Sequence, residues 1–359
     1  MSRRPGHVTS GPYAPPVPRT TTEVISADGA RIHAETHGPE DAPAVVLAHG
    51  WTCSIAFWAP VVRDLAADHK VVLYDQRGHG RSPATGPAGY GTTALADDLV
   101  AVLEATLGPD ERAVVGGHSM GGMTIMAAAE RPELRARAAA AMLCSTGCAR
   151  LPASSQVFPF RSEGARRLAH RLLLGSRAPL GPVSPLTRRA LKYATMSPEA
   201  TPEQIEACAR IVHACPPAVR ARWGKVLSVL ELTGGVSRLE VPTVVLAGAA
   251  DRLTPPVQSR RLASVLPDFR GLTELPGKGH MTPIEDPGAV AGLLRELVRD
   301  HLRPDGDRSS AATAGAAVPA QKTAQKTAQD TAQDTAHKTA PKSAQQATPE
   351  AAQKKERSA

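Results

Sequence analysis

Aromatic residues and long apolar runs are scarce in this sequence. Phe, Trp and Tyr together make up only 3% of the 359 residues, so a core has to be built from Ala, Val and Leu. No run approaches the ~20 consecutive apolar residues of a membrane-spanning helix. We therefore expect no transmembrane segment, and a chain of this length can bury a full core.

Cysteine is also scarce, and the N-terminus has little that resembles an export signal. Residues 1–20 contain five prolines and no apolar stretch of the roughly 7 to 15 residues that a secretory signal requires. The cysteines are odd in number and have no metal-ligand spacing. We therefore expect reduced thiols, no metal site and a cytoplasmic protein. The cysteines are Cys53, Cys144, Cys148, Cys208 and Cys215.

The two ends of the chain differ in composition from its middle. Residues 304–359 repeat a Thr-Ala-Gln-Lys or Thr-Ala-Gln-Asp unit and contain almost no apolar side chain beyond Ala. Such a segment cannot bury enough surface to offset the entropy lost on ordering it. We predict a disordered low-complexity tail at residues 304–359 and a shorter disordered segment at residues 1–20.

Eight short β-rich runs alternate with helical patterns between these ends. The first two predict a hairpin around Asp28 and Gly29, and the continuous Val, Leu and Ala runs that follow are typical of a buried parallel sheet. The pattern predicts the α/β class, with a mostly parallel eight-stranded sheet flanked by helices. The predicted strands cover residues 22–26, 31–36, 44–48, 70–74, 112–115, 138–143, 243–247 and 271–274.

The alternation breaks between residues 150 and 231, where four helical stretches and no convincing strand can be drawn. Thr201 followed by Pro202 is typical of a helix N-cap and first turn. We predict a helical lid over the C-terminal edge of the sheet, where sites in such sheets form. The lid (residues 150–231) then interrupts an α/β core made of residues 21–149 and 232–303.

A Gly-x-Ser-x-Gly motif is the strongest signal for chemistry. Its Ser119 lies directly after a predicted strand and directly before a helical run, and this context distinguishes a nucleophile turn from a chance match. Gly117 and Gly121 remove side chains that would collide in the strained turn. The alternatives are a buried structural serine or a phosphate site at a helix start.

A serine hydroxyl needs a base, and the base needs an orienting acid. Asp251 follows the seventh predicted strand and His280 follows the eighth, so both can meet Ser119 at one edge of the sheet. We expect these three residues to form the catalytic set. Glu285 and Asp286, at the start of the final helix, are the next candidates for the acid.

Backbone amides are expected to stabilise the negative charge that acyl transfer develops on the carbonyl oxygen. One donor is predicted to be the amide of Met120, the residue after the nucleophile. The second is predicted to be the amide of Trp51, with Gly50 letting the backbone approach. His49, which precedes that glycine, is interpreted as a structural support and not as a base.

These motifs resemble those of the α/β-hydrolase fold family, which includes esterases, lipases, cofactor-free haloperoxidases and carbon-carbon bond hydrolases. The resemblance covers roughly residues 21–303. The loop Asp75–Ser82 is similar to the family's loop after the fourth strand, which implies a structural role for it, including His79. Relatives that open epoxides or displace halide use Asp at the elbow, so Ser119 argues against those activities.

The resemblance implies a serine hydrolase that cleaves a carboxylic ester or a related acyl bond through an acyl-enzyme, with no metal or organic cofactor. A cofactor-free haloperoxidase or perhydrolase, or a carbon-carbon bond hydrolase, would use the same three residues. A non-catalytic ligand-binding protein on the same scaffold is an alternative from another class, against which the complete catalytic set argues. The acyl chain, the alcohol and the oligomeric state stay open.

The net charge of +8 is concentrated in the lid. Residues 150–231 contain 13 Lys or Arg and five Glu, a balance of +8, whereas residues 304–359 contribute +2 and the remaining chain −2. A field of one sign attracts oppositely charged partners. We expect a small-molecule or lipid acyl substrate that is anionic, unless these residues only solubilise the helix faces. The sequence contains no basic stretch interleaved with aromatic residues, so we expect no binding of nucleic acid.

Deletion of residues 304–359 is expected to leave kcat and the thermal midpoint close to those of the full chain, because a segment of this composition contributes neither packing nor site residues. Steady-state kinetics and thermal unfolding of the two proteins test this expectation. A midpoint many degrees lower in the shortened chain would mean that the repeat docks on the core.

Overall fold

A computed structural model of the protein describes residues 10–302. The predicted tail at residues 304–359 and the first nine residues lie outside the described residues. Within residues 10–302, no helix is both long and apolar enough to cross a bilayer.

Eight strands form one mostly parallel sheet, which confirms the predicted fold class. In the described part of the chain the strands are β1 (Thr20–Ile25), β2 (Arg31–His37), β3 (Ala44–Ala48), β4 (Lys70–Tyr74), β5 (Ala113–His118), β6 (Ala138–Cys144), β7 (Thr243–Gly248) and β8 (Phe269–Leu275). The spatial order is β1-β2-β4-β3-β5-β6-β7-β8. Strand β2 pairs antiparallel with β1 and β4, and all other neighbours run parallel.

Helices cover both faces of this sheet. Across residues 10–302 the α-helices are α1 (Ala59–Leu65), α2 (Thr92–Thr106), α3 (Met120–Ala127), α4 (Pro132–Arg137), α5 (Leu151–Ser154), α6 (Glu163–Gly175), α7 (Pro185–Thr195), α8 (Pro202–Ala214), α9 (Pro217–Ser228), α10 (Thr233–Ser237), α11 (Pro256–Val265), α12 (Thr282–Glu285) and α13 (Pro287–His301). Short 3-10 helices add Ile55–Trp58 and Pro87–Gly89.

The central strands are buried on both sides, as their continuous apolar sequence predicts. In β3, Val46 faces a core cluster that includes Leu99 of α2, whereas its neighbour Leu47 faces a second cluster that includes Leu294 of α13. Side chains alternate across a strand, so one apolar run supplies both clusters. Helices α2, α3, α10 and α11 contribute to the first cluster, and α1 and α13 to the second.

Strand β5 extends three residues beyond its predicted end. The sequence indicated residues 112–115, because Gly116 and Gly117 have low strand propensity. In the sheet, Gly117 pairs with Ala48 of β3 and with Leu143 of β6, so ladders on both sides hold the glycine backbone. The strand therefore continues up to the residue before Ser119.

Helices α5 to α9 lie between β6 and β7 and make up most of the lid segment, residues 150–231. Ser184 and Thr201 cap α7 and α8 through capping boxes, each followed by Pro at the first helical position. This is the arrangement expected from Thr201 and Pro202. An isolated antiparallel bridge pairs Ala149 with Glu231, at the two ends of the segment.

Part of the predicted N-terminal disordered segment packs on the core. Ala14 is buried, and its carbonyl accepts hydrogen bonds of 2.8 and 3.2 Å from the guanidinium of Arg63 in α1. The amide of Arg19 donates to the Thr36 carbonyl at 2.8 Å, and β1 begins at Thr20. Proline content did not reveal these contacts, because their partners lie on elements distant in sequence.

The loop after β4 is anchored by a buried arginine. The Arg77 guanidinium is fully buried and donates to both carboxylate oxygens of Asp98 in α2, at 2.7 and 2.5 Å. It also donates to Asp28 in the β1–β2 turn at 2.7 Å. Its carbonyl accepts a bond of 3.1 Å from the indole of Trp223 in α9. One residue thus joins the hairpin, a core helix and the lid segment.

Replacement of Arg77 by Gln is expected to destabilise the protein by about 3 to 5 kcal/mol, because it leaves the buried Asp98 carboxylate without its counter-ion. Urea unfolding measures the change. The matched control is Arg260→Gln, which breaks the exposed pair with Glu274, and its midpoint is expected to stay close to wild type. Equal midpoints for both variants would contradict the anchoring role of Arg77.

Candidate active site

Ser119 occupies a strained turn between β5 and α3. Its backbone has φ 52° and ψ −114°, a positive φ that a residue with a side chain rarely adopts. The Ser119 amide donates to the Cys144 carbonyl at the end of β6, at 2.9 Å. The serine is only partly buried, whereas His118 and Met120 on either side are buried. The turn therefore leaves Ser119 partly accessible, while the buried residues His118 and Met120 hold the turn in place.

Both glycines of the motif are required by close backbone contacts. A Cβ on Gly121 would lie 2.1 Å from the Ala48 carbonyl oxygen at the end of β3. A Cβ on Gly117 would lie 2.3 Å from the Gly121 carbonyl oxygen. Such distances are not tolerated between real atoms, so only glycine lets α3 begin this close to β3 and β5. The clearance role predicted for both residues is consistent with this packing.

His280 and Asp251 meet at the same edge of the sheet as Ser119. The Nδ1 atom of His280 lies 2.8 Å from Asp251 Oδ2, and both residues are buried. The other carboxylate oxygen, Oδ1, accepts the amides of Leu253 and Thr254 at 2.8 and 2.9 Å. Two backbone amides, the His280 ring nitrogen and the Thr254 hydroxyl thus hold the carboxylate in one orientation.

A cavity of about 290 Å³ lies between this edge and the lid segment. Ser119 and His280 both line it, and most of the remaining wall is apolar. No hydrogen bond joins the Ser119 hydroxyl to His280 within residues 10–302. In free enzymes such bonds are often long and tighten when substrate binds.

The loop after β3 brings a second backbone amide toward the serine. A Cβ on Gly50 would lie 2.7 Å from Nδ1 of His118 and 3.2 Å from Cβ of Ser119, so the glycine permits this approach. Trp51, the next residue, lines the cavity. Met120 opens α3, where the first N–H groups of a helix have no intrahelical partner. Gly50 thus brings the chain just before Trp51 close to Ser119, and Met120 follows Ser119 directly.

His49 is fully buried behind this loop, and both ring nitrogens have backbone partners. Nδ1 lies 2.8 Å from the Gly50 carbonyl, and Nε2 accepts the Gln76 amide at 3.0 Å. A carbonyl accepts and an amide donates, so the proton sits on Nδ1. Burial lowers the pKa of His49 to about 3, with a contribution from nearby His79. A neutral ring with both nitrogens engaged has the supporting role expected from the sequence.

The comparison with known proteins gives the family. The family model described as alpha/beta hydrolase fold matches residues 43–287. The chain belongs to the α/β-hydrolase fold family.

Two curated relatives and two solved structures illustrate what the chain is similar to. A protein of Variovorax paradoxus named "Putative carbamate hydrolase RutD" is 33% identical over 69% of this chain and 89% of its own length. A protein of the same name from Pseudomonas syringae is 31% identical over 74% and 96%. Among solved structures, a thermophilic esterase from Thermogutta terrifontis has a TM-score of 0.62 and 24% identity, covering 78% of this chain and 98% of the esterase. The Rhodococcus esterase RhEst1 has a TM-score of 0.64, also at 24% identity, over 77% and 98%.

Two carboxylates of this hydrolase that were considered as the catalytic acid have other partners. Glu285 is buried and accepts the amides of Gly279 and Met281, on either side of His280, at 3.0 and 3.1 Å. Asp286 accepts the Ala289 amide at 3.1 Å and caps α13. Neither contacts the His280 ring through a hydrogen bond. Glu285 therefore positions the loop between β8 and α12 that contains His280, here called the histidine loop. Its place in the sequence did not reveal this role.

His118 also has a role that the sequence analysis missed. Its Nε2 lies 2.8 Å from the His280 carbonyl and donates to it. The two rings are 4.9 Å apart. Burial, reinforced by the nearby His280, lowers the pKa of His118 well below its usual value, so the ring is neutral. Thr254 was missed as well, although its hydroxyl lies 2.8 Å from Asp251 Oδ2.

The five cysteines of this hydrolase are free and buried. Burial raises the pKa of the Cys144 and Cys215 thiols to about 12. Cys53 lines the cavity near Ser119, and burial raises its pKa as well. Because the thiolate is the reactive form of cysteine, these side chains pack as small apolar groups.

Gly50→Ala is expected to lower kcat/KM by about 100- to 1000-fold, because the new methyl group pushes the loop with the Trp51 amide, one of the two amides expected from the sequence to stabilise the oxyanion, away from Ser119. Gly86→Ala is the matched control, since a Cβ there meets nothing within 4 Å. Ester hydrolysis, with circular dichroism to verify folding, tests both variants. Wild-type activity in a folded Gly50→Ala protein would contradict a role for the loop after β3 in the site.

Proposed function

We propose that the protein is a serine hydrolase that cleaves a carboxylic ester or a related acyl bond through an acyl-enzyme. The observation that carries the proposal is the buried pair of His280 and Asp251 at the wall of the cavity that Ser119 also lines. A buried histidine oriented by a carboxylate is the base that a serine nucleophile needs. The positive φ of Ser119 fits a nucleophile on a strained strand-to-helix turn.

In the proposed mechanism, Asp251 accepts a hydrogen bond from the Nδ1–H group of His280, which leaves Nε2 without a proton and free to act as the base. Nε2 takes the hydroxyl proton of Ser119 as its oxygen attacks the substrate carbonyl. The amides of Met120 and Trp51 stabilise the oxyanion, and His280 returns the proton to the leaving group. A water molecule then repeats the attack on the acyl-enzyme, which releases the acid and restores Ser119.

The cavity supports a small substrate. A volume of about 290 Å³ is at the lower end of ligand pockets, which favours a short acyl or alcohol group over a long lipid chain. The lid segment supplies much of the apolar wall, through Leu173, Leu191, Val212 and Leu227 among others. We propose that this segment acts as the lid expected from the sequence and excludes water from the reacting bond.

A carbamate is the second candidate for the cleaved bond. The curated relatives at 31% and 33% identity carry the name of a carbamate hydrolase. A carbamate carbonyl accepts the same attack by Ser119, and the same proton returns to its leaving group. Hydrolysis of p-nitrophenyl acetate, of an aryl N-alkylcarbamate and peroxide-dependent bromination in acetate, measured side by side, separate esterase, carbamate hydrolase and perhydrolase activities.

Asp251→Asn is expected to lower turnover by about 1000- to 10000-fold while the fold is kept, because an amide presents the wrong tautomer of His280. Asp286→Asn is the matched control, since Asn caps a helix about as well as Asp, and its kcat is expected to stay within a few-fold of wild type.

A fluorophosphonate probe is expected to label the wild type and not Ser119→Ala. Labelling that survives Ser119→Ala would exclude Ser119 as the nucleophile.

A further inference from the structure

One basic residue of the lid segment differs from all the others. Of the 13 Lys and Arg in residues 150–231, all of which are described, only Arg220 is buried, with 5% of its surface exposed. It lies in the first half of α9 and lines the cavity that Ser119 and His280 share. The other twelve are at least partly exposed on the helix faces.

The packing of α9 against the end of α6 holds Arg220 at the cavity wall. Gly224 lies one turn after it, and a Cβ on Gly224 would be 2.0 Å from the Leu174 carbonyl oxygen, so the two helices touch there. The Nη2 atom of Arg220 donates to the carbonyls of Ser176, at 3.3 Å, and Ala178. Ser176 and Ala178 line the same cavity.

The charge of Arg220 has no counter-ion within residues 10–302. Its partners there are carbonyl oxygens, which carry only partial charge, and no carboxylate lies within ion-pair distance. Arg77, the other deeply buried arginine, has the carboxylates of Asp98 and Asp28. An isolated buried charge is costly unless it is paired. Arg220 is therefore a buried cation at the cavity wall that has no carboxylate partner among the described residues.

Arg220 is also connected to the loop that flanks the reacting serine. The indole nitrogen of Trp51 donates to the Arg220 carbonyl at 3.0 Å. Trp51 supplies one of the two proposed oxyanion amides, so the α9 backbone at Arg220 lies one side chain away from that amide. Ser119 and Arg220 line the same cavity, so a substrate bound there is in reach of both.

We propose that the Arg220 guanidinium binds a carboxylate of the substrate, so that the preferred substrates are small esters or carbamates that carry a carboxylate. The proposal rests on the proposed function of Ser119. A guanidinium presents parallel N–H donors that match a carboxylate, and such charge-assisted bonds are the strong ones. The apolar wall elsewhere in the cavity accommodates the carbon chain that separates the carboxylate from the cleaved bond.

Two series of substrates test the subsite. In the acyl series, mono-p-nitrophenyl glutarate is compared with the neutral p-nitrophenyl pentanoate. In the alcohol series, 4-acetoxybenzoate is compared with its methyl ester. In wild type, at least one series is expected to show a higher kcat/KM for the anion. Arg220→Gln is expected to reduce that anion-to-neutral ratio by about 10- to 100-fold, as for the loss of a charge-assisted hydrogen bond.

The matched control is Lys225→Gln, which removes the same charge from the exposed face of the same helix and is expected to leave the ratio near the wild-type value. Salt supplies a second distinction in wild type alone. Preference due to the exposed lid cations fades between about 20 and 500 mM salt, because the Debye length shrinks. Preference due to the buried Arg220 is expected to persist at the higher concentration.

Binding measurements separate failure of this proposal from failure of the proposed function. Calorimetry with hexanoate and with hexanamide measures binding without turnover. Wild type is expected to bind hexanoate more tightly than hexanamide, and Arg220→Gln is expected to abolish this difference in affinity. An equal ratio in wild type and Arg220→Gln would overturn the subsite, as would a wild-type preference that vanishes in high salt. If Arg220→Gln does not fold, the salt dependence in wild type decides. Loss of probe labelling at Ser119 would instead overturn the proposed mechanism.

Discussion

The site depends on the contact between the backbone of Gly121 and the carbonyl of Ala48. A Cβ on residue 121 would lie 2.1 Å from the Ala48 carbonyl oxygen, so only glycine lets the first turn of α3 pack against the end of β3. Gly117 makes the matching approach within the turn itself. Ser119 is held between them at positive φ, at a backbone cost that the sheet ladders on both sides of β5 offset. The position of Ser119 is therefore set by the absence of side chains on Gly117 and Gly121.

The histidine loop is held by groups that do not take part in the proposed chemistry. Glu285 accepts the amides on either side of His280, and His118 donates to its carbonyl. The His280 amide donates to the carbonyl of Thr195, at the end of α7 in the lid segment, at 2.8 Å. The ring is thus fixed through its backbone from three directions. One of these contacts joins the base of the proposed mechanism to the segment that covers the cavity.

The two buried arginines, Arg77 and Arg220, have different kinds of partner. Arg77 is balanced by carboxylates and ties three elements together, as expected of a structural ion pair. Arg220 is buried to a similar degree but is met by carbonyls alone, at a cavity wall. The charge excess of the lid segment, visible in the sequence, is therefore of two kinds: twelve side chains at least partly in water and one beside the cavity.

Strand and helix periodicity was enough to predict the sheet and its parallel order, because each central strand is a continuous apolar run that has to be buried on both faces. The motif around Ser119, and the positions of Asp251 and His280 after their strands, followed from the same local patterns. The sequence indicated Asp251 as the carboxylate that reaches His280, but it did not show that Glu285 would hold the backbone amides on either side of that histidine. Nor could it separate Arg220 from twelve other basic residues. Those choices depend on distances between elements remote in the chain, so only the packing of α9 on α6 and of the histidine loop on Glu285 decided them.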